Sequence, residues 1–190
     1  MRQKDELKQD AIIHATVRLV NEIGFADSSV SKIAKAANVS PATIYIYYKN
    51  KEDLLVSTYI SIKMNMGKAV QKDFNPDEPI RDIFKKVWFN MFDYINKHRD
   101  LFHFTEQFSN SPYSSLVKKE DVEKSFEPMF KVLLRGIEQK IIKDVNHDIL
   151  ATFIFYPILT LSNSRLCTGF EKNEDNIETA FILAWDAIKL

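Results

Sequence analysis

The chain contains few of the residues on which several large classes of protein depend. Its 190 residues include one cysteine and four glycines. A single cysteine cannot form a disulfide within the chain, which excludes a disulfide-stapled secreted domain. Four glycines are too few for the many tight turns of an all-β fold. The length allows one domain of ordinary size and a small second one.

Long apolar runs are missing as well. The most apolar region, residues 151–161, is shorter than the roughly 18 residues that a membrane-spanning helix needs. The first ten residues, MRQKDELKQD, are charged and contain no apolar core of a secretory signal. We therefore expect a cytoplasmic protein that does not enter a membrane.

Charge is balanced over the whole chain but not along it. The 26 basic residues equal the 26 acidic residues, which by itself argues against nucleic-acid binding. Residues 28–51, however, contain no acid and four lysines, namely Lys32, Lys35, Lys49 and Lys51. A local excess of positive charge of this kind can attract phosphates.

Helical periodicity runs through almost the whole chain, with apolar residues at three- and four-residue spacing. Gly24 is expected to end the first helix, and Pro128 is expected to kink or break a long one. The sequence FNPDEP at 74–79 is the clearest linker. We predict an all-α fold of about nine helices and no strand, with helices near 12–23, 30–37, 51–72, 80–97, 100–109, 118–143, 147–166 and 175–188 and one more that begins at Pro41.

The helix at Pro41 has to be argued, because residues 44–48 (IYIYY) are β-branched and aromatic and alone would indicate a strand. Ser40 is a favourable N-cap, and Pro41 suits the first helical position. A helix-turn-helix template also fits residues 30–49: Ala34 falls at the close crossing and Asn38 at the left-handed turn position. Val39 and Ile44 then fill the gap between the helices. The alternative is an amphipathic helix pair within a larger bundle.

One side of this helix is predicted to read DNA. Ile44 and Tyr48 face the core, and the opposite side can enter a major groove. Ala42 and Ile46 suit thymine methyl groups, and Thr43 suits a base edge or a phosphate. Tyrosine hydroxyls and Lys51 suit phosphates. The candidate DNA-binding residues are Ser29, Lys32, Ser40, Pro41, Ala42, Thr43, Tyr45, Ile46, Tyr47 and Lys51.

Residues 29–55, SVSKIAKAANVSPATIYIYYKNKEDLL, closely resemble the DNA-binding segment of TetR-type bacterial transcriptional regulators. The family has an Ile-Ala pair, a Gly-Val-Ser turn, a Thr-Leu/Ile-Tyr run and a Lys-x-Asp/Glu-Leu run. The departures are Asn38 in place of the usual glycine and Ile46 at a position that varies with the operator. The matches are Ser29, Ile33, Ala34, Val39, Ser40, Thr43, Ile44, Tyr45, Tyr47, Tyr48, Lys51, Asp53, Leu54 and Leu55.

The resemblance implies a dimeric repressor that binds double-stranded operator DNA and responds to a small-molecule effector. Residues 1–50 would form a three-helix helix-turn-helix domain, and residues 51–190 a helical domain for ligand binding and dimerisation. The helix at 51–72 would connect the two. The family also implies that the last two helices pair with those of a second subunit.

A stripe on the last predicted helix is compatible with that pairing, because it is too apolar for a solvated terminal helix. Burial in the chain's own core is the alternative. The candidate dimer-interface residues are Ile177, Phe181, Ala184, Trp185 and Ile188.

Residues 80–110 are rich in aromatic side chains, which together with methionine commonly line small-molecule sites. Such walls would suit a bulky apolar effector, aromatic or cationic. For each candidate, ordinary core packing is the alternative. The candidate ligand-binding residues are Tyr59, Lys63, Met66, Trp88, Phe92, Phe108, Phe155 and Asn163.

Signals for an enzyme, a metal or a cofactor are absent. His98 and His103 are five residues apart, which is a poor metal-binding spacing on a helix. The sequence contains no P-loop, nucleophile elbow or dinucleotide fingerprint. Two other classes stay open: an all-α small-molecule carrier or sensor without operator binding, and a helical enzyme of unrecognised type.

Overall fold

The computed structural model describes residues 2–190, with side chains from residue 5 onward. Over that range the chain is all-α, as predicted, and contains no strand. A short 3-10 helix, Pro112–Leu116, lies between the sixth and seventh helices. The ten α-helices are α1 Arg2–Asp27, α2 Val30–Ala36, α3 Pro41–Tyr47, α4 Lys51–Val70, α5 Ile80–Lys97, α6 Arg99–Ser109, α7 Lys119–Glu123, α8 Glu127–Glu138, α9 His147–Ser162 and α10 Glu174–Ile188.

The long helix predicted for 118–143 is wrong. That segment forms α7 and α8, separated by residues 124–126, and α8 ends at Glu138. Pro128 lies in the first turn of α8, where its missing amide removes no helical hydrogen bond. Lys140 then takes a positive φ of 55°, which the helix cannot continue through.

Gly24 redirects α1 instead of ending it. Its φ of 77° and ψ of 173° lie in a region that is almost restricted to glycine. Helical residues resume after it, and Phe25 packs near Phe108 and Tyr113, with ring centroids 6.2 and 5.5 Å apart.

The chain divides into two compact units. The first unit comprises Met1–Met64 and His98–Val122, and the second comprises Asn65–Lys97 and Glu123–Leu190. The division falls inside α4, so that helix contributes residues to both units. The sequence-based boundary at residue 50 stays a prediction.

The first unit has two apolar clusters, both of which involve α1. One joins α1, α2, α3 and the start of α4 and is centred on Ile12, Ile33 and Ile44. The other joins α1, α4 and α6 through residues such as Val17, Leu55 and Phe104. Helix α1 therefore packs against both the helix-turn-helix segment and α6.

The second unit is organised around α5, which packs against α8, α9 and α10. The Trp88 indole donates a 2.7 Å hydrogen bond to the Ile154 carbonyl of α9. Pro157, in the next turn of α9, has no amide and therefore offers no helical hydrogen bond to the Phe153 carbonyl.

The five candidate dimer-interface residues lie in this same core. All five are buried within the single chain, and Phe181 is 0% exposed. Phe181 contacts Trp88 with ring centroids 5.7 Å apart, and Trp185 contacts Phe84 at 5.5 Å. These residues therefore pack inside their own chain, and the exposed apolar side chains of α10 are those of Ile182 and Leu183.

The predicted linker at 74–79 is held in place by side chains of the second unit. Asn90 donates to the carbonyls of Val70 and Lys72, both at 3.1 Å. Lys86 binds the Glu78 carboxylate at 2.9 Å. Arg135 donates to the carbonyls of Pro76 and Glu78. The end of α4 and the segment after it are consequently tied to α5 and α8.

Candidate nucleic-acid interface

The helix-turn-helix segment is set by short-range chemistry, as predicted. The Ser29 hydroxyl accepts from the Lys32 amide at 3.3 Å and caps α2. The Ser40 hydroxyl accepts from the Thr43 amide at 3.1 Å and caps α3, whose first residue is Pro41. Between the helices Asn38 takes a φ of 55°, the left-handed conformation that the turn requires.

The packing of α2 on α3 also confirms the sequence argument. Ala34 and Ile44 are fully buried, and Tyr48 is nearly so. Val39 packs against the same cluster. The aromatic and β-branched run is therefore helical because Ile44 has a place in the core, which outweighs its preference for strands.

The opposite side of α3 is exposed. Ile46 is 76% exposed and Tyr45 is 56% exposed, and Pro41 and Ala42 are exposed beside them. Thr43 is half-buried, with its hydroxyl 2.9 Å from that of Ser40. A short helix that presents two large apolar side chains to solvent has a surface suited to a base-edge contact.

Lys51, a candidate phosphate ligand, has a structural contact as well. Its ammonium donates to the carbonyl of Phe25 at 2.6 Å and to that of Ala26 at 3.3 Å, at the end of α1. Ser29, Lys32 and Ser40 are exposed. DNA contact by these residues stays a prediction.

One contact of α3 was missed by sequence reasoning. The Tyr47 hydroxyl donates to the Asp5 carboxylate at 3.2 Å, across 42 residues of sequence. Desolvation, and then the hydrogen bond and charge of Asp5, raise the pKa of Tyr47. The hydroxyl therefore stays a protonated donor at neutral pH, and its acceptor in the free protein is an acid.

We expect Asp5→Asn to raise affinity for all duplexes by a few-fold. A phosphate that binds Tyr47 has to displace the Asp5 carboxylate and approach its negative charge, and the amide removes both obstacles. Electrophoretic mobility shift on specific and random duplexes measures the gain. Asp10→Asn makes the same charge change on α1, so an equal gain in that variant would show that Tyr47 is not involved.

The candidate ligand-binding residues are divided between the two units. In the first, Tyr59 stacks on Phe108 with ring centroids 4.4 Å apart and 16° between the planes. The Lys63 ammonium lies 5.8 Å from the Tyr59 centroid. In the second, Met66, Trp88 and Phe92 are buried, while Phe155 and Asn163 are half-buried.

A cleft of about 500 Å³ in the first unit was not predicted. It is open and is lined by α1, the α2–α3 turn and Asp100. Arg18 donates to the Ala36 carbonyl at 3.4 Å, and Asn21 donates to the Asp100 carbonyl at 2.9 Å. These two polar side chains therefore already have partners within the chain. We interpret the cleft as a surface groove between packed helices and not as a ligand site.

The last two helices of the second unit each carry exposed apolar side chains. On α9 these are Ile149, Phe153 and Tyr156, which follow four- and three-residue spacing. On α10 they are Ile182 and Leu183. We call these five residues the α9–α10 apolar face. Exposed apolar patches of this kind commonly mark docking surfaces.

The described residues contain neither a candidate membrane span nor a candidate metal site. None of their helices combines the length and apolar character needed to cross a bilayer. No group of three or more His, Cys, Asp or Glu side chains is placed to hold a metal ion in that part of the chain.

Comparisons with known proteins agree along the whole chain. A family model described as "Bacterial regulatory proteins, tetR family" matches residues 12–58, and one described as "Tetracyclin repressor-like, C-terminal domain" matches residues 79–189. An uncharacterized HTH-type transcriptional regulator of Haemophilus influenzae is 26% identical over 191 residues, covering 100% of both chains.

Solved structures show the same fold. A TetR family transcription regulator from Marinobacter aquaeolei VT8 has a TM-score of 0.88 and 35% identity, covering 100% of this chain and 99% of that one. The FadR regulator of Bacillus subtilis, in complex with stearoyl-CoA, has a TM-score of 0.70 and 22% identity, covering 92% of this chain and 94% of that one.

Proposed function

The chain belongs to the TetR family of bacterial transcriptional regulators, and from this premise we propose that it is a cytoplasmic repressor. It binds operator DNA as a homodimer and leaves the DNA when a bulky apolar effector binds. The observation that carries the proposal is α3, a capped helix with Ile44 in the core and Tyr45 and Ile46 exposed on the other side.

The roles on α3 follow from exposure and chemistry. Ala42 and Ile46 present apolar groups to thymine methyls, and Thr43 presents a hydroxyl to a base edge. Tyr45, Tyr47 and Lys51 meet phosphates, which fix the position of the helix without reading sequence. The acid-free segment 28–51 supplies the positive charge that draws these groups to the duplex.

A second copy of this chain is the proposed occupant of the α9–α10 apolar face. A two-fold dimer uses the same patch on both subunits, so each α9–α10 pair would meet its counterpart in a four-helix bundle. Such a dimer presents two α3 helices to half-sites about 34–36 Å apart. The face replaces the buried Phe181 stripe as the basis of the dimer.

The effector would act through α4. Leu54 and Leu55 of this helix lie in the core of the first unit, and Met66 and Val70 belong to the second. Gln71, just after α4, donates to the Ser125 carbonyl at 2.6 Å. A displacement of α4 would therefore move α3. If the effector lowers the affinity for DNA by some factor, DNA must lower the affinity for the effector by the same factor, which is typically about 5–150-fold.

The test is selection of genomic fragments from the source organism on immobilised full-length protein. We expect recovered fragments to share a palindromic site with half-sites about one helical turn apart. Retention should fall steeply with salt, because bound phosphates release counterions. A carrier or sensor without operator binding would enrich no such site.

A further inference from the structure

Lys63 on α4 is a half-buried ammonium without an acidic partner. Its amine lies over the face of Tyr59, 5.8 Å from the ring centroid. Among the residues that the structure describes, none accepts a hydrogen bond from it or forms an ion pair with it. Tyr59 precedes Lys63 by one helical turn, so the two side chains lie on the same side of α4.

Several other half-buried lysines have an oxygen acceptor. Lys86 binds the Glu78 carboxylate at 2.9 Å, Lys51 donates to the Phe25 carbonyl at 2.6 Å, and Lys172 donates to the Ser162 carbonyl at 2.8 Å. An ammonium taken from water without an acceptor is costly. Burial accordingly lowers the pKa of Lys63.

The surroundings of this amine are aromatic. Tyr59 stacks on Phe108 at 4.4 Å, and Phe108 lies 6.2 Å from Phe25. Flat aromatic faces accept the apolar part of a ligand, and one convergent charge fixes its orientation. The chemical complement of this arrangement is an apolar molecule that carries one anionic group.

We propose that Lys63 binds the anionic group of the effector, a carboxylate, sulfonate or phosphate, while the apolar part of the effector lies against Tyr59. The anion supplies the partner that the ammonium lacks, in a charge-assisted hydrogen bond. A cationic effector is excluded at this position by repulsion. The regulatory role of this ligand rests on the proposed function. Binding of an anion at Lys63 does not, because it can be measured without DNA.

The test uses two fluorescent probes that differ by one charge. 1-Anilinonaphthalene-8-sulfonate carries a sulfonate, and N-phenyl-1-naphthylamine has the same rings without it. We expect the full-length protein to bind the sulfonate more tightly. Lys63→Met should lower sulfonate affinity roughly tenfold or more, as loss of a hydrogen bond to a charged group does, and leave the neutral probe unchanged. Lys63→Arg should keep the preference.

Lys68→Met is the matched control, because Lys68 is an exposed lysine on the same helix. The proposal is overturned if wild-type protein shows no preference for the sulfonate, or if Lys63→Met and Lys68→Met bind the two probes alike. Operator affinity without probe is measured in parallel. Loss of operator binding by the wild type would refute the proposed function and leave the result for Lys63 standing.

Discussion

Glutamate at both Leu183 and Phe153 is expected to convert the proposed dimer to monomers and to lower operator affinity about 10²-fold or more, the range that loss of bivalent binding gives. These side chains are 68% and 55% exposed in the single chain, so the charges remain hydrated when the chain folds alone. In a dimer through the α9–α10 apolar face the same carboxylates would lose water without partners. Light scattering reports the mass, and mobility shift reports the affinity.

Leu166→Glu is the matched control for this experiment, because Leu166 is 69% exposed but lies outside α9 and α10. It should leave the dimer intact. Phe181→Glu, by contrast, should unfold the second unit, since that side chain is fully buried beside Trp88. A dimer that survives both charges on the apolar face would place the interface elsewhere.

Ile46→Ala is expected to change which operator is preferred by roughly 10–100-fold at one base-pair position, the discrimination of a good base-edge contact. Ile46 is exposed, so the helix should keep its stability. Thr43→Ala should shift preference at another position. Tyr45→Phe should instead weaken binding to every duplex alike, because a phosphate contact carries no sequence information. Selection from a randomised duplex library measures all three.

Ile44→Ala provides the matched control, with the same change made two residues away on the buried side of α3. It should destabilise the protein by about 2–4 kcal/mol, the usual cost of a cavity in a packed core, and lower the melting temperature. Ile46→Ala should leave the melting temperature unchanged. An unaltered site preference in the folded Ile46→Ala and Thr43→Ala proteins would contradict the assignment of α3 as the recognition helix.

The helix-turn-helix segment could be predicted because its determinants are local. Ser40 and Pro41 set the start of α3, and Asn38 sets the turn before it, each through its own backbone chemistry. Ala34 and Ile44 lie ten residues apart in sequence. The helix-turn-helix geometry that those local signals define brings them into the same core. The determinants of this segment's fold therefore all lie within about twenty residues of sequence.

The orientation of α10 could not be predicted in the same way. This helix has apolar residues on two sides, one containing Trp185 and one containing Leu183. Periodicity identifies both sides but not which one meets the rest of the chain. That choice depends on two rings of α5, about a hundred residues earlier. Phe84 contacts Trp185, and Trp88 contacts Phe181.

The Asp5–Tyr47 contact and the lack of an acidic partner for Lys63 could not be predicted from the sequence for a related reason. Each depends on what distant segments bring near, or fail to bring near, a side chain. Helix α1 places a carboxylate beside α3, and no acid among the described residues reaches Lys63. The error at 118–143 is different, because a proline breaks the interior of a helix but fits its first turn, and Pro128 lies in the first turn of α8.

The single buried residue of α3 has a consequence for how this regulator can evolve. Of seven positions in the helix, only Ile44 is committed to the core. Substitutions at exposed positions such as Ala42, Tyr45 and Ile46 are nearly neutral for folding, so a duplicated gene can explore new operators through a continuous series of folded variants. Lineages can thus diverge in the DNA sequences they recognise while the helical scaffold is inherited unchanged.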